Sequence, residues 1–218
     1  MTTLDPAARD RLFSSLSPSI RAMALRGVVR SYRKNTILVH EGERGDSTFV
    51  LLQGKVKVYS TDAEGHEIIY SVVGAGDYFA EMWLDGGPRC ASVMTLEPCL
   101  CAIVGSDAFR EQLAGEPAFA QELVTRMIRR VREATQKARE LALLDVYGRV
   151  VRALEAHEGP AAPGRPIVLS PITHQAIASR VGSSREMVSR LLKDLERGGY
   201  VELGVKRITL QRKLPARW

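Results

Sequence analysis

Between Thr173 and Lys193 the chain reads THQAIASRVGSSREMVSRLLK, and its polar side chains fall where two short helices around a tight turn would leave them free for a partner. Arg185, Glu186, Ser189 and Arg190 lie off the apolar stripe of the second helix. Arginine offers a planar pair of donors to guanine O6 and N7, and a carboxylate accepts from cytosine N4. Two arginines and a glutamate near the start of such a helix therefore suit the major groove of a DNA duplex. A solvated surface helix would also carry charges, but without a helix-turn-helix pattern around it.

Local signals place these groups. The Thr173 hydroxyl suits a helix N-cap, with Ala176, Ile177 and Val181 at helical spacing on one face. Gly182 and Ser183 supply turn chemistry, so the first helix ends near Val181. Ser184 caps the second, whose buried stripe is Met187, Val188, Leu191, Leu192 and Leu195, and Gly198 and Gly199 end it. The following YVELGVKRITLQR reads as two strands joined by a turn at Gly204. That hairpin is a wing, with Lys206 and Arg207 placed to meet phosphates.

Charge supports a nucleic-acid partner for this end of the chain. Up to Asp145 there are 18 Lys and Arg against 19 Asp and Glu; beyond it there are 13 against 6, so the whole net charge of +6 sits with the helix-turn-helix. A basic domain beside a neutral one is what phosphate neutralisation favours. With 218 residues, 45% apolar and 26% charged, the chain is long enough for two ordinary globular domains. No apolar run approaches the roughly 18 residues of a membrane helix, and MTTLDPAARD lacks a signal-peptide pattern, so a cytoplasmic protein without a membrane partner is expected.

Residues 4 to 26 suggest a pair of short helices. From about Val28 to Val104 short β-rich runs (TILVH, TFVLLQG, KVKVYS, EIIYSVV and CLCAIV) are separated by Gly and Asp turns, which predicts a compact sandwich or roll. Lys55 to Tyr59 alternate as a half-buried strand. Cys99 and Cys101 share one strand face and are expected as buried packing; with Cys90 they make an odd number, so no disulfide framework is expected. A helical pattern runs from Ser106 to about His157. Within it Ala120, Val124, Met127, Val131, Ala134, Ala138 and Leu141 recur at spacings of four and three, the seam of a coiled coil. A homodimer is expected, the alternative being that the stripe packs on its own β domain; Arg129, Arg130, Arg132, Glu133, Lys137, Arg139 and Glu140 form its soluble exterior. HEGPAAPGRP, residues 157–166, reads as a loop.

The stretches LLQGKVKVYS, GDYFAEM, RCA, LALLDVYGR and THQAIASRVGSSREMVSRLLKDLE, in this order, closely resemble the bacterial family of the cyclic AMP receptor protein and the fumarate-nitrate regulator. The resemblance spans nearly the whole chain. It implies an α+β protein with an effector-binding β-roll with N-terminal helices over 1–118, a dimerisation helix and hinge over 119–145, and a winged helix-turn-helix over 146–218. It puts Arg185, Glu186 and Arg190 at base-reading positions for a TGTGA-like palindrome, and Thr173 and Gln175 at phosphates; His174 and Ser184 belong to the same surface, His174 as a phosphate neighbour. Two recognition helices would then lie about 34 Å apart on double-stranded DNA. RNA polymerase is an implied partner.

The family's phosphate cassette, Gly-Glu-Leu followed by Arg-Ser-Ala, corresponds to Ala80, Glu81 and Met82 with Arg89, Cys90 and Ala91. In the family the glutamate takes a ribose hydroxyl and the arginine a cyclic phosphate. Loss of the glycine removes a close backbone approach, and a thiol replaces the serine donor poorly. Ser71 matches; of the Thr-Ser pair facing adenine, Ala134 and Thr135 retain one hydroxyl. The implied effector is a cyclic nucleotide, cyclic AMP first, with cyclic GMP and cyclic di-GMP as alternatives. The competing reading is a Glu81–Arg89 ion pair that only braces the roll of a constitutive DNA-binding regulator. No required cofactor and no metal is expected: no cysteine precedes Cys90 for an iron-sulfur cluster, and His40 and His66 stand alone in turn-rich stretches. Neither a nucleophile elbow, nor HExxH, nor a phosphate loop is present, so an enzyme is not expected.

Overall fold

The computed structural model describes residues 6–156 and 166–215, so Leu4 and all but the last residue of the expected loop at 157–166 lie outside the described residues. The chain divides into two compact units, residues 1–60 with 69–131, and residues 61–68 with 132–218.

The first is built on β-strands. After α1 (Pro6–Ser14) and α2 (Pro18–Leu25) come β1 (Val28–Tyr32), β2 (Ile37–Val39), β3 (Thr48–Gln53), β4 (Lys55–Thr61), β5 (Glu67–Gly74), β6 (Tyr78–Phe79), β7 (Ser92–Thr95) and β8 (Cys99–Val104). They make two four-stranded sheets, in the orders β1-β8-β3-β6 and β2-β7-β4-β5. The unbroken apolar runs of β3 and β8 reflect burial on both faces. Phe49, Leu51, Cys99 and Cys101 face a core between the sheets with Val56, Val93 and Phe79. Val50, Leu52, Leu100, Ala102 and Val104 face a second core closed by Phe13, Ile20, Met23, Phe109 and Phe119 from the helices. Each Val, Leu, Ile, Phe or Met side chain among them contributes about 1.5–3 kcal/mol by leaving water. Gly54, at φ 95, joins β3 to β4; a Cβ there would sit 2.6 Å from Cys99 Sγ, so the turn admits only glycine. The alternation expected in β4 holds for Val56 but not beyond: Tyr59 is also buried, with the Lys57 ammonium 4.4 Å from its ring centre.

The helical stretch after Ser106 is three helices: α3 (Ser106–Gly115), α4 (Pro117–Leu143) and α5 (Val146–Glu155). Glu116, before Pro117, is extended at φ −127, ψ 93, as a residue preceding proline prefers. Asp145 restarts the chain as the cap of α5, accepting from Gly148 N at 2.7 Å. On α4, Phe119 and Leu123 are buried and Met127 packs on the same core, whereas Val124, Ile128 and Val131 are 58%, 50% and 64% exposed. The expected seam is thus corrected at one place: Ile128, not Met127, continues the outward stripe, because one residue along a helix is a 100° turn.

The second unit contains α5, β9 (Ile167–Leu169), α6 (His174–Val181), α7 (Arg185–Arg197), β10 (Val201–Gly204) and β11 (Arg207–Leu210). A three-stranded sheet, β10-β11-β9, backs the helices over a core of Val150, Leu154, Ile177, Val188, Leu192, Leu195 and Ile208. This is a winged helix-turn-helix. Three expectations are corrected in detail. Ala176 is exposed and Ala178 buried in its place; Met187 is 38% exposed, a quarter turn from Val188; and the wing turns on Val205 and Lys206, with Gly204 still paired to Arg207. Lys206 takes the positive φ, 52°, that the tight turn requires.

Candidate functional site

In the first unit a 3-10 turn, Met82–Asp85, follows β6 and brings Ala80 and Glu81 beside the Arg89 loop. Arg89 is only 8% exposed. Its Nη1 donates to the Ala80 carbonyl and its Nη2 to the Ser47 carbonyl at 2.8 Å, holding Ala80 at a positive φ of 65°. Gly45 makes room: a Cβ there would lie 2.8 Å from Nη2. Burial pushes the Arg89 guanidinium below its ordinary range, opposed by Asp46 and Glu81, yet no carboxylate reaches ion-pair distance of it among the described residues. A buried cation that bonds only main-chain carbonyls retains attraction for an anion.

The Glu81–Arg89 ion pair of the competing reading does not form. Glu81 is 2% exposed, and its Oε1 accepts from Arg130 Nη1 on α4. Arg130 Nη2 also donates to the Tyr78 carbonyl at 2.8 Å. Its neighbour one turn back, Arg126, pairs with Asp77 and with Glu122 at 3.1 Å, and both guanidiniums lie over the Tyr78 ring, at 4.8 and 5.9 Å. Glu81 Oε2 and the Tyr78 hydroxyl are buried without a hydrogen-bond partner among the described residues, and burial pushes the Tyr78 phenol well up. Arg130, assigned to the soluble exterior of the helix from sequence, is therefore part of the site. Leu123, Arg126, Met127 and Arg130 share the helix face turned to the roll, but spacing alone does not tell a captured arginine on that face from a solvated one.

Of the other cassette residues, Ala91 is buried, and Cys90 and Met82 are exposed with Sγ and Sδ 3.3 Å apart. Ser71 is exposed on β5, and Thr135 is exposed on the part of α4 that belongs to the second unit; neither joins this cluster among the described contacts. At the β4–β5 turn Asp62, Glu64 and His66 bring one ligand-type atom each within 4.8 Å of one another, a grouping the sequence reading did not pick out. All three are exposed, and His66 bonds Asp62 at 2.9 Å.

In the second unit the caps form as expected. Thr173 Oγ1 accepts from Ala176 N at 3.1 Å, and Ser184 Oγ accepts from Met187 N at 3.2 Å. Gly182, left-handed at φ 63, ends α6 and turns the chain into α7. Arg149, missed in the sequence, donates to the Val181 and Leu144 carbonyls at 2.8 and 2.9 Å and braces that turn from α5. Arg185, Glu186 and Arg190 are exposed, and no hydrogen bond or ion pair within the described residues engages them. Gln175 Nε2 reaches Ser179 Oγ at 3.4 Å. His174 Nδ1 lies 2.9 Å from Ser189 Oγ, a link between the two helices that the sequence did not show. On the wing, the Lys206 carbonyl accepts from Ile172 N at 3.0 Å, and Arg207 lies 4.0 Å from Glu202.

Among the described residues no helix is long and apolar enough to cross a membrane. Residues 29–116 match the cyclic nucleotide-binding domain family, and residues 148–213 the Crp-like helix-turn-helix domain family. The chain is 34% identical over 172 residues to the cAMP-activated global transcriptional regulator CRP of Salmonella typhimurium, covering 77% of this chain and 82% of that protein. It is 29% identical over 208 residues, 93% of each chain, to the CRP-like cAMP-activated global transcriptional regulator of Mycobacterium tuberculosis. The c-di-GMP responsive global regulator CLP of Xanthomonas campestris has the same fold, with a TM-score of 0.80 at 24% identity over 89% of this chain and 98% of its own. With a β-roll matched to the one domain family and a winged helix-turn-helix matched to the other, and a relative 34% identical over most of both chains, the chain belongs to the CRP/FNR family of DNA-binding transcription regulators.

Proposed function

We propose that this regulator is a homodimer that reads a TGTGA-like palindrome and is controlled by a cyclic nucleotide held in the roll, acting on RNA polymerase in the cytoplasm without a chemical step of its own. The observation that carries the reading is the start of α7, where Arg185, Glu186 and Arg190 are exposed and unengaged while Ser184 and Gly182 fix the backbone that presents them. Thr173, His174, Gln175, Lys206 and Arg207 supply the phosphate contacts around them. In this assignment residues 1–118 bind the effector, 119–145 dimerise and 146–218 bind DNA. The buried Arg89 supports an anionic effector, with Ala80, Glu81, Met82, Cys90 and Ala91 as its cassette neighbours; Ser71 and Thr135 are assigned to the effector by the family resemblance alone. Cyclic AMP is the first choice by likeness to the curated relatives, followed by cyclic GMP and by cyclic di-GMP, to which the regulator from Xanthomonas responds.

A second reading, a constitutive regulator whose roll is a scaffold, is favoured by one observation: Glu81 is already bonded within the protein, to Arg130. Fluorescence anisotropy of a labelled TGTGA inverted repeat, without nucleotide and with each of the three in turn at fixed salt, separates the two. Binding that changes with one nucleotide identifies the effector and its coupling; tight binding indifferent to all three selects the scaffold. In the same assay Arg185→Ala and Arg190→Ala are each expected to cost about 1–3 kcal/mol and to relax sequence preference. Parent-like binding by either variant would remove it from the reading surface.

The dimer rests on the outward stripe Val124, Ile128 and Val131. Ile128→Glu is expected to give a folded monomer in sedimentation and to lower affinity for the inverted repeat by roughly a hundredfold, through loss of the second half-site contact. A dimeric Ile128→Glu protein would show that the seam lies elsewhere.

A further inference from the structure

We propose that His174 couples DNA binding to proton uptake, its imidazole taking up a proton when duplex phosphates seat against the start of α6; this rests on the DNA-binding reading of the second unit. His174 is the first residue of α6 and is half-buried. Its Nδ1 lies 2.9 Å from Ser189 Oγ, which fixes the ring between α6 and the exposed face of α7. Among the described residues the charged groups that act on it are Arg185 and Lys193, both on α7; neither α5 nor α4 contributes one, and none is a carboxylate.

Burial first, and then these two cations, hold the imidazole below its ordinary value and so favour its neutral form in the free protein. The amide dipoles at the start of α6 act in the same direction. A bound phosphate reverses the balance. It offsets the charges of Arg185 and Lys193 and gives the protonated ring an anionic acceptor, so the complex holds more protons than its separated parts. By linkage, affinity must then rise as pH falls through the range between the free and bound values, and must be lost as pH rises through the bound one. Arginine at this position would supply a permanent charge; histidine makes the contact conditional.

The test is anisotropy of a labelled duplex of mixed sequence at constant ionic strength, from about pH 6 to about pH 8, where a single proton taken up gives up to about tenfold per pH unit. Parent, His174→Asn and His174→Arg are compared. Asparagine keeps a polar atom where Nδ1 stands, so the bond to Ser189 survives without a titrating group. The expected result is a parent that weakens several-fold towards high pH, a flat and weak asparagine variant, and a flat and tight arginine variant. Equal slopes for parent and His174→Asn, or a flat parent, would overturn the proposal while leaving DNA binding intact. Absence of duplex binding by all three proteins at every pH would sink the proposal together with the reading beneath it.

Discussion

Replacing Arg130 with methionine is expected to cost the first unit about 3–5 kcal/mol in urea denaturation, the usual penalty for leaving one member of a buried ion pair alone. The pair is asymmetric: the Glu81 side chain is 2% exposed and that of Arg130 34%. Removing the arginine therefore strands a carboxylate that already has one oxygen without a partner, and water cannot reach it cheaply. The same substitution withdraws the donor to the Tyr78 carbonyl and one of the two guanidiniums over its ring. A double variant, Glu81→Met with Arg130→Met, isolates the cause. Apolar replacement of both partners is often neutral, so the pair of changes should recover most of the lost stability. If single and double variants are equally unstable, the packing of the Arg130 stem matters and the stranded charge does not.

This ion pair also shows where sequence reasoning reaches its limit. Thr173, Gly182 and Ser184 were legible because a cap or a left-handed turn is decided within four residues, and their chemistry permits little else. The two-sheet roll was legible in the β-rich runs, although Tyr78–Phe79 is too short to register as a strand. Arg130 was not legible, because a charged residue on an amphipathic helix is usually a solvated one, and the group that captures it lies 49 residues away. Glu81 and Arg89 have complementary charges and stand eight residues apart, yet Arg89 turns to the carbonyls of Ala80 and Ser47. Which of two nearby cations takes a buried carboxylate depends on loop geometry that no spacing rule contains. The exchange of Met127 for Ile128 in the outward stripe has the same origin: both are apolar, and only packing against Phe119 and Leu123 decides which turns inward.

Arg89→Leu is expected to abolish effector binding while weakening the roll that holds it, and the two effects can be separated. In the parent the guanidinium supplies donors to two main-chain carbonyls, one of them that of Ala80, a non-glycine residue at φ 65. Leucine leaves both acceptors short of a donor, at about 1–3 kcal/mol for each that stays dry. Adding Ala80→Gly should return about 1 kcal/mol, because glycine adopts that backbone conformation without strain. Anion affinity should not return with it. Loss of a desolvated charge that faces a phosphate costs about 2–5 kcal/mol, or roughly 30- to 5000-fold in Kd. Calorimetric titration with cyclic AMP, cyclic GMP and cyclic di-GMP should thus find the stabilised double variant folded but silent towards any nucleotide to which the parent responds. Arg89→Lys sharpens the contrast: it keeps the charge but lacks the planar fork, so it should retain part of the nucleotide affinity while failing to hold both carbonyls. A folded Arg89→Leu protein with parental nucleotide affinity would show that this guanidinium braces the Ala80 turn and does nothing more.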